Sequence, residues 1–358
     1  MDQATLLPED FLHLILEKQG SDVYIVPGAK VMAKIGDQLE PLSADKLRLA
    51  ECEQLIRQIY TLADDRPIER LIRDGDDDFS FGLARLGRFR CNAFKQRGTL
   101  AAVLRVVPFQ LPDAAALHIP DAVLNLSTRK RGMVLVTGPA GSGKTTTLAC
   151  IIDRINEGRG GHIITLEDPI EYIHPHKKSL VTQREIENDT KNFAHALRAS
   201  LRQAPDVILL GEMRDFETIQ TALTAAETGH LLLSTLHTLG AGKTIDRIVD
   251  VFPASQQQQV RIQLSMVLQA VVSQQLIPTL DGRIVPAFEV MLVNSAISNM
   301  IRENKVQQID NAIFAGAGEG MLSMDSDILR LFREGRITRE NALLYAVNPD
   351  VLAKRMKD

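Results

Sequence analysis

The chain has 358 residues, of which 45% are hydrophobic and 24% are charged, and this predicts a soluble protein of two domains or three small ones. Its net charge of −4 provides no basic field for phosphate backbones, which disfavours sequence-independent binding to nucleic acid. Three cysteines without a C-x-x-C pair argue against a zinc site, and the lack of a signal peptide or a membrane-length apolar run predicts a cytoplasmic protein.

Residues 1–108 are predicted to form a small α+β domain. Its predicted elements are a helix over 8–18, strands over 22–26 and 30–35, a hairpin turn at Gly36 and Asp37, helices over 44–62 and 65–73, and strands over 77–82, 87–95 and 99–107. Pro108, Pro112 and Pro120 then interrupt the periodicity. We therefore expect a linker over 109–120.

The second predicted domain, residues 121–358, contains short apolar runs that alternate with helical segments. The runs are 133–136, 162–166, 206–210 and 231–235. Buried strands that alternate with helices are typical of a doubly wound parallel sheet, so the overall fold class is α/β. After about residue 254 the pattern becomes mainly helical, with a hairpin indicated at Asp281 and Gly282.

A glycine-rich segment follows the first of these strands and precedes a predicted helix that extends through Asn156. It is Gly138-Pro139-Ala140-Gly141-Ser142-Gly143-Lys144-Thr145, the pattern of a phosphate-binding loop, and Thr146 follows it. Backbone N–H groups at the helix N-terminus bind the β-phosphate, the lysine reaches the β- and γ-phosphates, and the threonine hydroxyl binds Mg²⁺. The sequence predicts a nucleotide site here, and a flexible glycine loop is the alternative.

Acidic residues follow two of the other predicted strands. Glu212 follows the third strand, in the position of an acid that holds Mg²⁺ directly or through water, while Glu167, Asp168 and Glu171 follow the second. Ligands bind at the carboxyl ends of strands in such sheets, so we expect these carboxylates near the phosphates. One of them can orient the attacking water, and the chemistry alone does not say which. Surface acids at turns are the alternative.

His230 and His237 flank the fourth predicted strand, so they lie at its opposite ends. Only His237 lies at the carboxyl end, where it could sense or stabilise the γ-phosphate. His230 could equally be a buried histidine with satisfied hydrogen bonds.

In the first domain, Arg88 and Arg90 alternate with Phe89, Cys91 and Ala93, which places the two arginines on one strand face. Two guanidinium groups that point the same way suit an anionic partner. Solvated surface arginines are the commoner explanation.

Together, these segments resemble the secretion ATPase superfamily. The phosphate loop is similar to its Walker A motif, 165–172 to its Asp box, 211–215 to its Walker B motif and 228–238 to its His box, and further likeness at 181–185 and 247–253 extends over nearly the whole chain. The chain resembles in particular the PilT family of pilus retraction ATPases. Assembly-type relatives carry an additional N-terminal domain and paired zinc-binding cysteines, which this chain lacks.

This resemblance implies a hexameric ring built from an N-terminal PAS-like α+β domain and a C-terminal RecA-like P-loop domain with a helical end. It also implies ATP and Mg²⁺ as cofactors. Glu171 would be the general base, Glu212 would hold Mg²⁺ through water, Glu167 would lie in the nucleotide site and His237 would face the γ-phosphate.

Arg88, Arg90 and Arg105 are the candidates to reach the nucleotide at a subunit boundary. The implied partners are further copies of the chain, an inner-membrane platform protein and possibly a second retraction ATPase, with no nucleic acid. The implied location is the cytoplasmic side of the inner-membrane pilus machine. The family's late helix A-I-R-N-L-I-R-E is written A-I-S-N-M-I-R-E here, with Ser298 at the arginine position.

Two further functions remain alternatives at this point: an accessory retraction ATPase that works only beside a principal one, and a nucleotide-gated adaptor with little turnover. The complete set of Walker and Asp-box acids favours turnover. A DNA translocase is disfavoured by the net negative charge and by the 4% aromatic content available for base stacking.

Overall fold

The computed structural model of the chain describes residues 7–36, 38–83, 86–107, 111 and 113–357. Asp37 of the predicted turn, Pro108 at the end of the predicted first domain and Pro112 of the predicted linker lie outside the described residues. Internal contacts divide the chain into two compact units. The N-terminal unit comprises Met1–Gln110 with Glu171–Ile173, and the large unit comprises Leu111–Ile170 with His174–Asp358.

The N-terminal unit is built on one antiparallel sheet. Its described elements are α1 (Pro8–Glu17), β1 (Asp22–Ile25), β2 (Met32–Ile35), β3 (Gln38–Pro41), α2 (Leu49–Leu62), α3 (Glu69–Asp74), β4 (Asp76–Leu83), β5 (Gly87–Gln96) and β6 (Thr99–Val107). The strand order is β3-β2-β1-β6-β5-β4, and every neighbouring pair is antiparallel. The α+β pattern predicted from the sequence is confirmed.

Apolar spacing explains how the N-terminal unit forms its core. Helix α1 buries Phe11, Leu12 and Ile15 on one helix face, because Ile15 lies four residues after Phe11 and three after Leu12. Strand β5 buries Phe89 and Cys91 on one face. These side chains belong to one hydrophobic cluster.

Helix α2 begins five residues later than the predicted start at 44. Arg48 is extended, and its backbone N–H donates to the Glu51 carboxylate at 2.7 Å. A glutamate in the third helical position that binds the N-cap N–H in this way fixes the helix start. The prediction was wrong there because it considered apolar spacing without this capping interaction.

The large unit alternates strands and helices as predicted. Its described elements are α4 (Asp121–Leu124), β7 (Gly132–Thr137), α5 (Lys144–Gly158), β8 (His162–Glu167), β9 (Leu180–Glu185), α6 (Phe193–Ser200), β10 (Val207–Leu210), α7 (Phe216–Glu227), β11 (Leu231–Leu236), α8 (Ala241–Asp250), α9 (Ala254–Val267), β12 (Leu268–Pro278), β13 (Ile284–Leu292), α10 (Ser295–Arg302), α11 (Ile309–Ala315), α12 (Met324–Arg333), α13 (Arg339–Tyr345) and α14 (Pro349–Arg355), with 3₁₀ turns at Asn125–Thr128, Val306–Gln308 and Gly316–Glu319.

The large sheet has the order β13-β12-β7-β11-β10-β8-β9. All neighbouring strands are parallel except the antiparallel pair β12 and β13. Along β7, Met133 and Leu135 join one hydrophobic cluster, and Val134 and Val136 join another. Because both faces of the sheet are covered, the central strands are continuous apolar runs, as expected for a doubly wound fold.

The prediction of a mainly helical region after residue 254 missed two long strands. Strand β12 follows α9 directly and pairs with both β7 and β13. The predicted hairpin is confirmed, because Gly282 has a φ of +79° and donates its N–H to the Thr279 carbonyl at 3.2 Å. The resemblance implied only a helical end, whereas this part of the chain also extends the sheet.

The segment that resembles the family's late helix, with Ser298 at the arginine position, is α10. It buries Ile297 and Ile301, and Ser298 donates its hydroxyl to the Ser265 carbonyl of α9 at 2.7 Å. Ser298 therefore links α10 to α9 through a hydrogen bond of its own. Across the described ranges, we find no helix with the length and apolar character needed to cross a bilayer.

Candidate active site

The candidate site lies where four parallel strands of the large unit end. Leu236 of β11 is in register with Thr137 of β7, and Leu210 of β10 is in register with Leu166 of β8. The loops that follow these strands therefore leave the same edge of the sheet. Parallel α/β sheets bind their ligands at this edge.

The phosphate loop connects β7 to α5. Gly143 is the N-cap of α5 with a φ of +85°, a left-handed conformation that glycine adopts without steric strain. Lys144 begins the helix, is buried to 8% exposure, and donates from Nζ to the carbonyls of Gly138 at 2.9 Å and Pro139 at 2.8 Å. The ammonium group is therefore held inside the curve of the loop.

Strand β12 forms the floor of this loop. A Cβ added to Gly138 would lie 2.1 Å from the Gln274 carbonyl oxygen, and one added to Gly143 would lie 2.9 Å from Gln274 Nε2. Gln274 is buried and accepts a 2.7 Å hydrogen bond from Thr147 Oγ1. Sequence reasoning missed Gln274, because nothing in its local pattern links it to a loop 130 residues earlier.

The residues of the loop fit a polyphosphate. Ser142 is buried, and its Oγ has no hydrogen-bond partner within the described residues. The first turn of α5 presents backbone N–H groups, and Thr145 and Thr146 are half-buried there. An anion that accepts from these N–H groups and from the Ser142 hydroxyl, beside the Lys144 ammonium, would satisfy this donor set. Gly141 and Ala140 line the exposed side of the same turn.

Glu212 follows β10 and lies between two cationic or polar side chains. Its Oε2 is 2.8 Å from Arg214 Nη2 and 3.5 Å from His237 Nε2. The two strand ends are joined by a hydrogen bond from Thr235 Oγ1 to the Gly211 carbonyl at 2.6 Å. The structure therefore brings Glu212 and His237 together, as predicted, and adds Arg214, which sequence reasoning did not single out.

The acids after β8 have different surroundings. Glu167 is buried, and its Oε1 accepts from Thr165 Oγ1 at 2.6 Å and Gln183 Nε2 at 3.2 Å. Glu171 is exposed and groups with the N-terminal unit. Gln183 lies on the edge strand β9. The family likeness at 181–185 indicates this segment, but the sequence pattern does not predict a strand there.

His230 lies at the amino end of β11, away from the phosphate loop. Its Nδ1 is 3.0 Å from the Ala225 carbonyl and 3.2 Å from Thr228 Oγ1. The first of these contacts is a local hydrogen bond to the preceding helix. His230 is therefore hydrogen-bonded as in the structural alternative, although it is half-buried and not fully buried.

The three candidate arginines belong to the N-terminal unit. Arg90 binds Asp78 through Nε at 3.0 Å and Nη2 at 2.5 Å, and Arg105 Nε binds Asp22 at 2.8 Å. Arg90 and Arg105 are register partners on β5 and β6, and Arg88 is half-buried on the same face as Arg90. The predicted alternation of β5 is confirmed, and each of the two paired arginines is held by an acid of its own unit.

Known proteins match this chain over almost its full length. The family model described as Type II/IV secretion system protein matches residues 4–326. The type IV pilus retraction ATPase PilT of Pseudomonas aeruginosa is 45% identical over 93% of this chain and 96% of its own. This chain belongs to the PilT family of secretion ATPases. The family predicted from the motifs is therefore confirmed.

A solved structure and a second pilus ATPase give the range of the likeness. A crystal structure of the pilus retraction motor PilT with bound ADP superposes with a TM-score of 0.89 at 45% identity, and the match covers 98% of this chain and 99% of that one. The type IV pilus ATPase PilU of P. aeruginosa is 37% identical over 98% of this chain and 91% of its own. The PilT-family fold thus includes a member that holds a nucleotide.

Proposed function

We propose that this PilT-family chain hydrolyses ATP to drive the retraction of type IV pili. The observation that carries the proposal is the edge of the large sheet. The buried Lys144 inside a glycine loop, the partly buried Glu212 and the nearby His237 all lie there. A relative named as a pilus retraction ATPase matches over nearly the whole length of both chains.

In this proposal the phosphate loop binds ATP, with Lys144 on the β- and γ-phosphates and Thr145 and Glu212 holding Mg²⁺. The bound Mg²⁺ would neutralise charge that develops on the phosphates. The Arg214 and Glu212 pair places opposite charges at the same strand end, so Arg214 limits how far the carboxylate can turn. His237 would contact the γ-phosphate.

Glu171 is the proposed general base, on the basis of its place in the Asp box. It follows Ile170 directly, four residues after Glu167 at the end of β8. Its side chain is exposed, and a carboxylate can accept a proton from water. Glu167 is less suited to that task, because its Oε1 already accepts two hydrogen bonds.

We further propose that the chain works as a homo-hexamer, in which Arg88, Arg90 and Arg105 reach the nucleotide of a neighbouring subunit. The antiparallel sheet of the N-terminal unit and the doubly wound sheet of the large unit support PAS-like and RecA-like assignments. The proposed partners are an inner-membrane platform protein and a second retraction ATPase. An accessory retraction ATPase is the second candidate function, because a pilus ATPase with a name other than PilT is also 37% identical to this chain.

The direct test is phosphate release by the purified chain with ATP and Mg²⁺, compared with Lys144→Ala. We expect steady turnover in the wild type and loss of tight ATP binding in the variant. Expression in a strain that lacks its own retraction ATPase then separates the two candidates. A principal motor restores retraction alone, whereas an accessory one requires the second ATPase. ATP binding without turnover would favour the adaptor and contradict the proposal.

A further inference from the structure

Three consecutive polar residues interrupt the apolar sequence of β12. Ser273, Gln274 and Gln275 are all buried, with exposed fractions of 0%, 4% and 7%. A buried polar group is costly unless it is hydrogen-bonded, and each of these side chains has a defined partner. Because side chains alternate along a strand, Gln274 faces the opposite side of the sheet from the other two.

Gln274 lies beneath the phosphate loop and is held there by its amide oxygen. Its Oε1 accepts from the Thr147 hydroxyl in the first turn of α5. The bond occupies the oxygen, so the Nε2 donor is turned toward Gly143, where an added Cβ would lie only 2.9 Å from it. The main chain of Gln274 approaches the other end of the loop still more closely, because a Cβ added to Gly138 would lie 2.1 Å from its carbonyl oxygen. One residue therefore supports both ends of the loop.

Ser273 contacts the other nucleotide loop, which carries His237. Its hydroxyl is 2.8 Å from Thr137 Oγ1, at the end of β7, and accepts the Gly240 N–H at 3.0 Å. Gly240 lies three residues after His237 and is the N-cap of α8. Ser273 is thus hydrogen-bonded to the start of the phosphate loop and to the loop that carries His237.

We propose that Gln274 and Ser273 are positioning residues of the nucleotide site: Gln274 sets the phosphate loop, and Ser273 holds the His237 loop at a fixed distance from it. This inference rests on the proposed function, because it assumes that the two loops act on one nucleotide. Neither residue touches the reacting atoms. Gln274 governs nucleotide affinity through Thr147, and Ser273 governs turnover through Gly240.

The first test compares Gln274→Met with Gln275→Met by titration with ADP. Both changes keep the side-chain volume and remove one buried hydrogen bond, but Gln275 Nε2 donates to the Tyr345 carbonyl, away from the loop. We expect ADP affinity to fall about 2- to 10-fold in Gln274→Met, the range for one lost hydrogen bond, and to stay within about 2-fold in Gln275→Met. Equal affinities in the two variants would overturn the role of Gln274.

Thr147→Val serves as a second variant that changes only the partner of Gln274. It should weaken ADP binding by a similar factor, and the double variant with Gln274→Met should be no weaker than the worse single one, because both remove the same bond. Additive losses would show that the two residues act separately. Unfolding of Gln274→Met together with unchanged affinity in Thr147→Val would also overturn the proposal.

Ser273→Ala tests the second contact with a different readout. ADP has no γ-phosphate for His237 to face, so we expect ADP affinity to change less than about 2-fold while kcat falls about 2- to 10-fold. A kcat equal to that of the wild type would refute the role of Ser273. Absence of turnover in the wild type would refute the proposed function instead, while the ADP titrations would still decide the role of Gln274.

Discussion

Glu167 and Glu171 lie four residues apart, and their surroundings assign them different tasks. Glu171→Gln should keep nucleotide affinity and lower turnover by about 10²- to 10⁴-fold, because an amide cannot accept a proton from water. Single-turnover ATP hydrolysis would measure this, with Glu167→Gln as the comparison, which we expect to retain more activity. Near-wild-type turnover in Glu171→Gln would contradict the assignment, and dependence on Glu167 alone would transfer the role of base to that residue.

The glycines of the phosphate loop also differ in what surrounds them. An added Cβ at Gly138 would lie 2.1 Å from a backbone oxygen, whereas no atom lies within 4 Å of one at Gly141. Both residues have positive φ values, +144° and +75°. We expect Gly141→Ala to cost about 1 kcal/mol, and Gly138→Ala several times more, because the backbone of β12 must move. Thermal unfolding of the two variants measures the difference, and equal melting temperatures would contradict it.

The residues that sequence reasoning found share a local motif. Lys144, Glu212 and His237 each stand in a recognisable position after a strand. Arg214 and Gln274 do not, because the importance of each depends on a side-chain contact that appears only in the fold. Arg214 pairs with Glu212, two residues away. Gln274 binds Thr147, which is 127 residues away. Sequence reasoning could have found Gln274 only from the unusual run of polar residues in an otherwise apolar strand.

At the scale of elements, Glu289 on β13 binds the start of α8. Its carboxylate accepts the backbone N–H of Ala241 at 2.9 Å. The pKa of Glu289 is raised from 4.5 to about 7, chiefly by burial, with a smaller contribution from the carboxylates of Asp310 and Asp325. Between these pH values the folded chain binds more protons than the unfolded one. Stability therefore falls as pH rises through this range, by up to about 3 kcal/mol.

Glu289→Gln should remove this pH dependence, because the amide imitates the protonated acid. We expect the difference in melting temperature, variant minus wild type, to be roughly 5 °C larger at pH 8 than at pH 5. The exposed Glu340 provides the control, since Glu340→Gln should leave the difference between the two pH values unchanged. An equal effect of Glu289→Gln at both pH values would refute the prediction.

The elements that were predicted well are those with one clear period. The four central strands of the large sheet are continuous apolar runs, and α1 has regular helical spacing. Strand β9 was missed because it is an edge strand whose middle residues are polar and half-buried, and β12 because its buried polar residues lower its apolar content. Whether these two segments form strands is decided by pairing partners that are distant in the chain.

At the scale of the whole molecule, the proposed hexamer predicts that activity depends on assembly. An arginine supplied by a neighbouring subunit is worth about 10³ to 10⁵ in rate in other P-loop enzymes. Specific ATPase activity should therefore rise with protein concentration, and Arg88→Ala or Arg90→Ala should lower turnover more than nucleotide affinity. Activity that is independent of concentration in a proven monomer would refute the shared site.

Mixing inactive variants tests the same idea in another way. Chains with Arg88→Ala and chains with Glu171→Gln should regain part of the activity when combined, because some boundaries then unite an intact base with an intact arginine. If Arg90 is the arginine that reaches the neighbouring nucleotide, its ion pair with Asp78 must open. Removing that ion pair with Asp78→Asn should therefore not abolish the recovery of ATPase activity. If no mixture recovers activity, these arginines are not the ones shared.

The hairpin of β12 and β13 also defines a path for mechanical force. Buried Asp327 of α12 accepts the Phe288 N–H at 2.9 Å, and Phe288 is the register partner of Gln274. A force applied to α12 would act on the hydrogen-bonded pair of strands β12 and β13. The hydrogen bonds between these strands would share the tension and transmit it to Gln274 beneath the phosphate loop. Because such coupling is reciprocal, a bound nucleotide that stiffens the loop would in turn raise the resistance of α12 to displacement.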